Sequence, residues 1–269
     1  MAPQEANAID DREQTHPDET EAFLAARLVE FDKEVALLTE QETKFLRQAQ
    51  ANCSELLDQN FKLMFLRTDV FNVQLAAKRY ASYWEHRVGL FGPEKAFLPM
   101  TLDGAMKDDL ETLALGYTRT VQDHGRILFM DPSRTLVDRD IDSIVRCQWY
   151  VSTKALMSEP EMQKKGAIFV LDLDTIRHVD RPLIKRMAET TNDSFPLRVS
   201  LCCMINPPPL TDFFVKIVKL FMKPKVRQRL YVIKGDQKLV KHVEGLDMKT
   251  LYTALDHDKW IETMREKEG

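Results

Sequence analysis

The chain has 269 residues, 44% of them hydrophobic and 30% charged, enough to bury the core of one large domain or of a small domain beside a large one. With 38 Lys and Arg against 42 Asp and Glu, the net charge is −4, which points away from nucleic acid as a partner. No apolar run has the length needed to span a bilayer, so any membrane contact is expected to be peripheral.

From Met1 to Glu21 there are seven acids and a single Arg, with few apolar groups, and residues 1–20 read as a disordered acidic tail. Residues 21–92 read as helices only. The clearest begins at the N-cap Asn72, after which Val73, Ala76, Ala77, Tyr80, Ala81, Trp84 and Val88 recur at helical spacing until Gly89, Gly92 and Pro93. Ala105–Leu115 is expected to be helical. Tyr117–Val121 and Arg126–Met130 read as strands about the turn Asp123-His124-Gly125.

Helices at Asp138–Met157, Arg181–Thr191, Leu210–Met222 and Asp236–Val243 then alternate with strands at Ala167–Leu173, Val199–Ile205 and Leu230–Ile233. Such alternation argues for a layered α/β domain with a mainly parallel sheet. Residues 246–269 read as a C-terminal helical extension.

Most familiar chemistry is missing. The nine glycines form no G-x-G-x-x-G and no G-x-x-x-x-G-K, there is no G-x-S-x-G, and the six histidines offer no H-E-x-x-H, so no cofactor and no metal are expected. Cys53, Cys147, Cys202 and Cys203 lack C-x-x-C spacing and no signal peptide is visible. Reduced thiols in a cytoplasmic protein are the expectation. One enzyme-like signal remains, Asp172-Leu173-Asp174-Thr175, the D-x-D-x-T of haloacid-dehalogenase-type phosphatases. There, Asp172 would attack phosphorus and Asp174 act as a general acid. The competing reading is a carboxylate ending a buried strand, and the late position of the motif favours that reading. The chain is therefore not expected to be an enzyme.

Leu210–Met222 is the most unusual helix. Lys216, Lys219 and Lys223 share one narrow stripe, and apolar side chains cover nearly everything else. An ordinary surface helix buries one stripe and wets the other. This one calls for apolar surroundings on two sides, either a core plus a ligand or a core plus a bilayer. From Lys216 to Lys241 there are nine Lys or Arg against one acid.

Several segments in this order resemble the CRAL-TRIO lipid-binding family. Phe65-Leu66-Arg67, Phe71-Asn72-Val73 and Tyr83-Trp84-Glu85-His86-Arg87 resemble its N-terminal helical region. Asp123-His124-Gly125-Arg126 resembles the hairpin before a core strand, and Gly166–Leu173 the strand itself. Asp193-Ser194-Phe195-Pro196-Leu197-Arg198, then Val199–Asn206 and Lys219-Leu220-Phe221-Met222, are similar to the family's Phe-Pro turn, strand and final helix. The tocopherol- and retinaldehyde-binding branch is the most similar.

The resemblance implies a three-layer domain over residues 93–245, in which a sheet floors an apolar cavity and Leu210–Met222 forms a mobile lid. It implies a cavity lined by Trp149, Thr153, Ala167, Phe169, Leu171, Met187, Thr191, Phe195, Val199 and Cys202, with Phe213, Phe214, Ile217 and Phe221 from the lid. It also implies that Arg198, Lys225 and Arg229 hold a phosphoinositide headgroup, while a fourth position of that site falls on the acid Asp69.

Leu197, Ala167 and Phe169 replace the acid and the hydroxyl residues of the phosphatidylinositol-exchanging branch, so burial of an inositol headgroup inside the cavity is not expected. The function implied is to bind a hydrophobic, lipid-like molecule and transfer or present it at anionic, phosphoinositide-bearing membranes. A lipid-sensing regulator that docks on a protein partner through the acidic tail or the C-terminal helix is the alternative.

Overall fold

A computed structural model describes residues 16–134, 140–174, 180–209, 211–234, 243 and 246–269. Four helices come first: α1 (Glu21–Leu37), α2 (Glu40–Asn52), α3 (Gln59–Thr68) and α4 (Val73–Lys95). Each starts on a side-chain cap. Thr20 accepts from the Phe23 N–H, Thr39 and Glu42 form a reciprocal capping box, Asp58 accepts from Phe61, and Asn72 accepts from Leu75. Gly89 continues α4, and the break falls at Gly92, whose φ of 75° only glycine adopts readily.

Residues 16–20, read from sequence as the end of a free tail, lie against the body. The Arg67 guanidinium grips the Glu19 carboxylate, and Lys164 sits 3.5 Å from it. Burial works to raise the Glu19 pKa, but these cations outweigh it and hold the group below its ordinary value. Residues 1–15 lie outside the described residues.

The helical expectation for Ala105–Leu115 shrinks to α5 (Leu110–Leu115). Upstream, the backbone closes on itself instead: the Ala105 and Met106 N–H groups donate to Pro99 and Thr101, and a Cβ on Gly104 would lie 2.4 Å from the Pro99 oxygen. Five strands follow, β1 (Thr118–Thr120), β2 (Ile127–Met130), β3 (Ala167–Asp172), β4 (Val199–Ile205) and β5 (Leu230–Ile233), in the spatial order 1-2-3-4-5. Among the described residues, only β1 and β2 pair antiparallel; the other pairs are parallel. Between the strands come α6 (Ile141–Ser158), α7 (Pro160–Lys165), α8 (Arg181–Thr191), α9 (Thr211–Phe221) and the short α10 (Pro224–Gln228).

Alternation along the strands gives the sheet two faces. On one face, Phe129, Val170, Leu201, Cys203 and Ile205 pack with Val243, Leu246 and Leu251. The other face turns toward α6, α8 and α9. An aromatic cluster unites this side with the N-terminal helices: Tyr83 stacks on Trp149 at 5.2 Å, and Trp149 meets Phe195 edge-on at 4.8 Å. One apolar core thus runs from α1 to the sheet.

The expected single C-terminal helix divides into α11 (Met248–Thr253) and α12 (His257–Glu268), because Asp256 caps a new start by accepting from Lys259. The helix expected at Asp236–Val243 lies outside the described residues apart from Val243, which is buried.

Candidate ligand-binding site

A cavity of about 1960 Å³ lies between the second sheet face and the helices. It is roughly twice the volume of the larger pockets that hold drug-sized ligands. Phe169 and Leu171 of β3, Cys202 and Met204 of β4 and Met130 of β2 form its floor. Met187, Trp149 and Phe195 rise around them, with Thr191 at the end of α8. Four of the lining residues, Met130, Met187, Met204 and Met222, are methionines. Their flexible, polarizable side chains adapt to irregular apolar shapes. Burial pushes the Cys202 thiol up to about 12, which keeps it uncharged within this wall.

α9 closes one side. Phe214 and Val218 are buried against Leu173 and Met204, and both line the cavity together with Phe221. The opposite surface of α9 leaves Phe213 57% and Leu220 73% exposed, interleaved with exposed Lys216 and Lys219. Apolar groups thus face both ways, as the wide apolar face predicts. The Asn192 amide donates to the Phe221 carbonyl at 3.3 Å, and Lys223 pairs with Asp193. These two contacts pin the C-terminal end of α9 to the turn after α8.

The fold assembles a basic rim. Arg198, Lys225 and Arg229 all line the cavity, with Lys78 of α4 beside them. Arg229 is 6% exposed and donates to the Val199 carbonyl, so its guanidinium is tied to β4. Asp69, the acid at a position the resemblance makes basic, is gripped on both carboxylate oxygens by Arg79 at 2.8 and 2.9 Å. Its negative charge is therefore matched within the rim.

Four residues expected at the cavity lie elsewhere. Phe213 faces outward from α9, and Ile217 is buried but does not line the cavity. Thr153 is buried in α6 and does not line the cavity. Ala167 is packed into the main core. It alternates onto the same face as Phe169 but is closed over by that core. Ala167 pairs with Val199 but Ile168 pairs with Leu201, so Ser200 is an extra residue in β4. This bulge turns Val199 to the cavity, while the Ser200 hydroxyl donates to the Ala167 carbonyl.

Tyr117, Gln148, Ser152 and Met204 are lining residues that the sequence reading did not name. Met204 follows Cys202 by two and carried an alternation signal; the other three carried none.

The phosphatase motif has a structural occupation. The Asp172 carboxylate accepts from Tyr252, from the Asn206 amide at 3.0 Å and from the Asp174 backbone N–H at 3.0 Å. It ties α11 to the end of β3 on the sheet face away from the cavity. Among the described residues, no group of three or more His, Cys, Asp and Glu side chains is arranged to hold a metal, and no helix is long and apolar enough to cross a membrane. The C-terminal helix, expected as a docking element, is itself docked: Glu268 accepts from Tyr150 and from the Leu102 N–H and pairs with Lys154.

The CRAL/TRIO domain matches residues 114–252, which hold the whole sheet and the cavity floor. The chain belongs to the CRAL/TRIO family. It is 29% identical to human Clavesin-2 over 187 residues, covering 65% of this chain and 55% of that protein. Human alpha-tocopherol transfer protein-like is 24% identical over 217 residues, covering 78% and 59% respectively. This CRAL/TRIO chain therefore spans a little over half the length of the curated relatives it matches. The crystal structure of Sfh5 shares the fold, with a TM-score of 0.55 at 13% identity over 91% of this chain and 98% of that one.

Proposed function

We propose that this CRAL/TRIO protein binds a water-insoluble, lipid-like molecule in its cavity and transfers or presents it at anionic membrane surfaces, without covalent chemistry. The observation that carries the reading is a 1960 Å³ cavity floored by Phe169, Leu171, Cys202 and Met204 that opens beside a basic rim. Each buried methylene contributes about 0.8 kcal/mol, so a long chain in such a space is held firmly. Names among its relatives, including an alpha-tocopherol transfer protein-like protein, agree with a carrier.

In this reading α9 is the lid. Pro207-Pro208-Pro209 precede it and Lys223-Pro224 follow it, stiff segments about which a short helix can swing. The exposed Phe213, Leu220, Lys216 and Lys219 suit an anionic bilayer surface. Arg198, Lys225 and Arg229 are the groups proposed to meet a phosphoinositide headgroup, which shifts the lid toward its open state if it binds that state more tightly. The protein acts from the cytoplasm as a peripheral membrane visitor.

The test is transfer of a fluorescent lipid between vesicles with and without phosphatidylinositol bisphosphate in the acceptor. Arg198→Gln with Lys225→Gln is expected to abolish the acceleration by the phosphoinositide. Unchanged transfer by the double variant would remove the headgroup from the account. No transfer by the wild-type protein, with lipid still bound, would leave a sensor in place of a carrier.

A further inference from the structure

The segment that leads into α1 is clamped next to the basic rim. Arg67 Nε donates to Glu19 Oε1 at 3.1 Å and its Nη2 donates to Oε2 at 2.6 Å, with Lys164 at 3.5 Å. The Glu19 side chain is 10% exposed, so this is a shielded bidentate clamp and not a screened surface pair. Three residues upstream, the His16 ring meets Phe71 edge-on at 6.3 Å. Phe71 stands between Val70 and Asn72, which both line the cavity. Burial and then the charge of Arg198 lower the His16 pKa, which puts that ring within electrostatic reach of a rim residue. Followed backwards from α1, the chain therefore runs from the Glu19 clamp toward Arg198.

Residues 1–15, outside the described residues, come next. They carry Glu5, Asp10, Asp11 and Glu13 against Arg12 alone, a side-chain charge of −3. At full extension Asp10, Asp11 and Glu13 lie within about 20 Å of His16. A tether of this kind gives an effective concentration in the millimolar range, at which even weak ion pairing is populated. The rim it reaches holds Arg198, Lys225 and Arg229, and two acids there, Asp69 and Asp193, are already bound to Arg79 and Lys223.

We propose that residues 1–15 dock on the Arg198, Lys225 and Arg229 rim as a tethered counter-ion and compete there with the anionic headgroups of a membrane. This rests on the membrane-facing reading of the rim given above and adds its regulation. While the segment is docked the rim is not available to a headgroup, so the apparent affinity for anionic lipid falls by the fraction of chains undocked. A surface dense in negative charge displaces the segment and a sparse one does not. The Glu19 clamp keeps the tether short, and salt weakens the docking because the paired charges meet at the protein surface.

Zero-length cross-linking by a carbodiimide joins a carboxylate to an amine in direct contact and reads the docking without a membrane. In the full chain at low salt, links from the acids of residues 1–15 to Lys225, Lys223 or Lys78 are expected, fading at about 0.5 M salt. No links to these lysines, or links spread equally to exposed Lys249 of α11 behind the sheet, overturn the proposal. The second arm is sedimentation with phosphatidylcholine vesicles carrying phosphatidylserine or phosphatidylinositol bisphosphate. A full chain with Glu5→Gln, Asp10→Asn, Asp11→Asn and Glu13→Gln is expected to bind about threefold to tenfold more tightly than wild type. That gain is expected to vanish when Arg198→Gln and Lys225→Gln are added. A gain that survives in the rim variant reports bulk charge and overturns the docking. Equal binding by the wild-type and tail-neutralised chains overturns it too, and leaves the rim reading standing where wild-type binding still needs Arg198 and Lys225. If the cross-links form but neither chain sediments with anionic vesicles, the segment docks, and the competition falls together with the membrane reading of the rim.

Discussion

The two faces of the central sheet are built from the same strands and do opposite things. On one face, Phe129, Val170, Cys203 and Ile205 pack with Val243, Leu246 and Leu251 of the C-terminal segment. On the other, one residue along each strand, Met130, Phe169, Leu171, Cys202 and Met204 border open space. The closed face offers side chains with fixed partners, whereas the open face offers floppy sulfur-containing side chains and aromatics with room beside them. A strand pattern that alternates apolar with apolar thus carries two programmes in one segment, one for holding the fold and one for holding a guest. The difference teaches that burial alone does not separate core from site. What separates them is whether an element packs down on the face.

The largest effect should come from the closed face. Phe129 is fully buried there and lies under the Arg119 guanidinium, so Phe129→Ala is expected to cost about 3–5 kcal/mol in urea unfolding. Phe169→Ala, on the open face, is expected to cost much less and to alter lipid retention instead. Equal losses in stability would erase the distinction between the faces.

Next in size is the tie between α11 and β3. Tyr252 is 43% exposed and donates to the Asp172 carboxylate, so Tyr252→Phe is expected to lower stability by about 1 kcal/mol. Because that bond lies behind the sheet, lipid binding should not change, and a matching fall in binding would show the two faces to be coupled.

The lid latch is smaller still in stability. Lys223 and Asp193 are an exposed pair, and Asp193→Ala combined with Asn192→Ala is expected to cost less than about 1 kcal/mol overall. Its signature is kinetic. Stopped-flow release of a fluorescent lipid should quicken, and an unchanged rate would mean that α9 is not the moving part.

The smallest effect concerns pH. His257 sits in the C-terminal contact, where its Nε2–H donates to the Leu113 carbonyl at 2.7 Å while Nδ1 is buried without a partner. Burial, outweighing the Leu113 contact, and the nearby Arg119 hold its pKa below 6.5. Below about pH 6.5 the unfolded chain therefore takes up a proton that the folded ring resists, and stability falls as pH falls. His257→Gln should flatten the slope of Tm between pH 7 and pH 5; His16, also shifted downward, retains part of it.

These comparisons also mark what the amino-acid pattern discloses. The limits of β4 and β5 are legible because each apolar run is bounded by prolines or charged residues, and Phe169 and Leu171 share a face by simple alternation. Val199 is not legible in the same way. Its orientation depends on the bulge at Ser200, which arises from how β4 pairs with β3. Phe213 escapes because a helix apolar nearly all round gives no preferred rotation about its axis; that rotation is set by Met204, Leu173 and Ile184 beneath it. Gln148 escapes because a single amide on a helix looks the same in sequence whether it meets water, a partner or an empty chamber.

The most direct measurement is native mass spectrometry of the purified chain, run beside a Met204→Trp variant that intrudes on the chamber from the sheet side. The wild-type protein should carry about one non-covalent lipid-sized adduct per chain, and the variant should fold with an unchanged circular dichroism spectrum yet carry the adduct at lower occupancy. An adduct-free wild-type chain that also fails to take up lipid from vesicles, or a variant that retains the adduct at undiminished occupancy, would contradict the account.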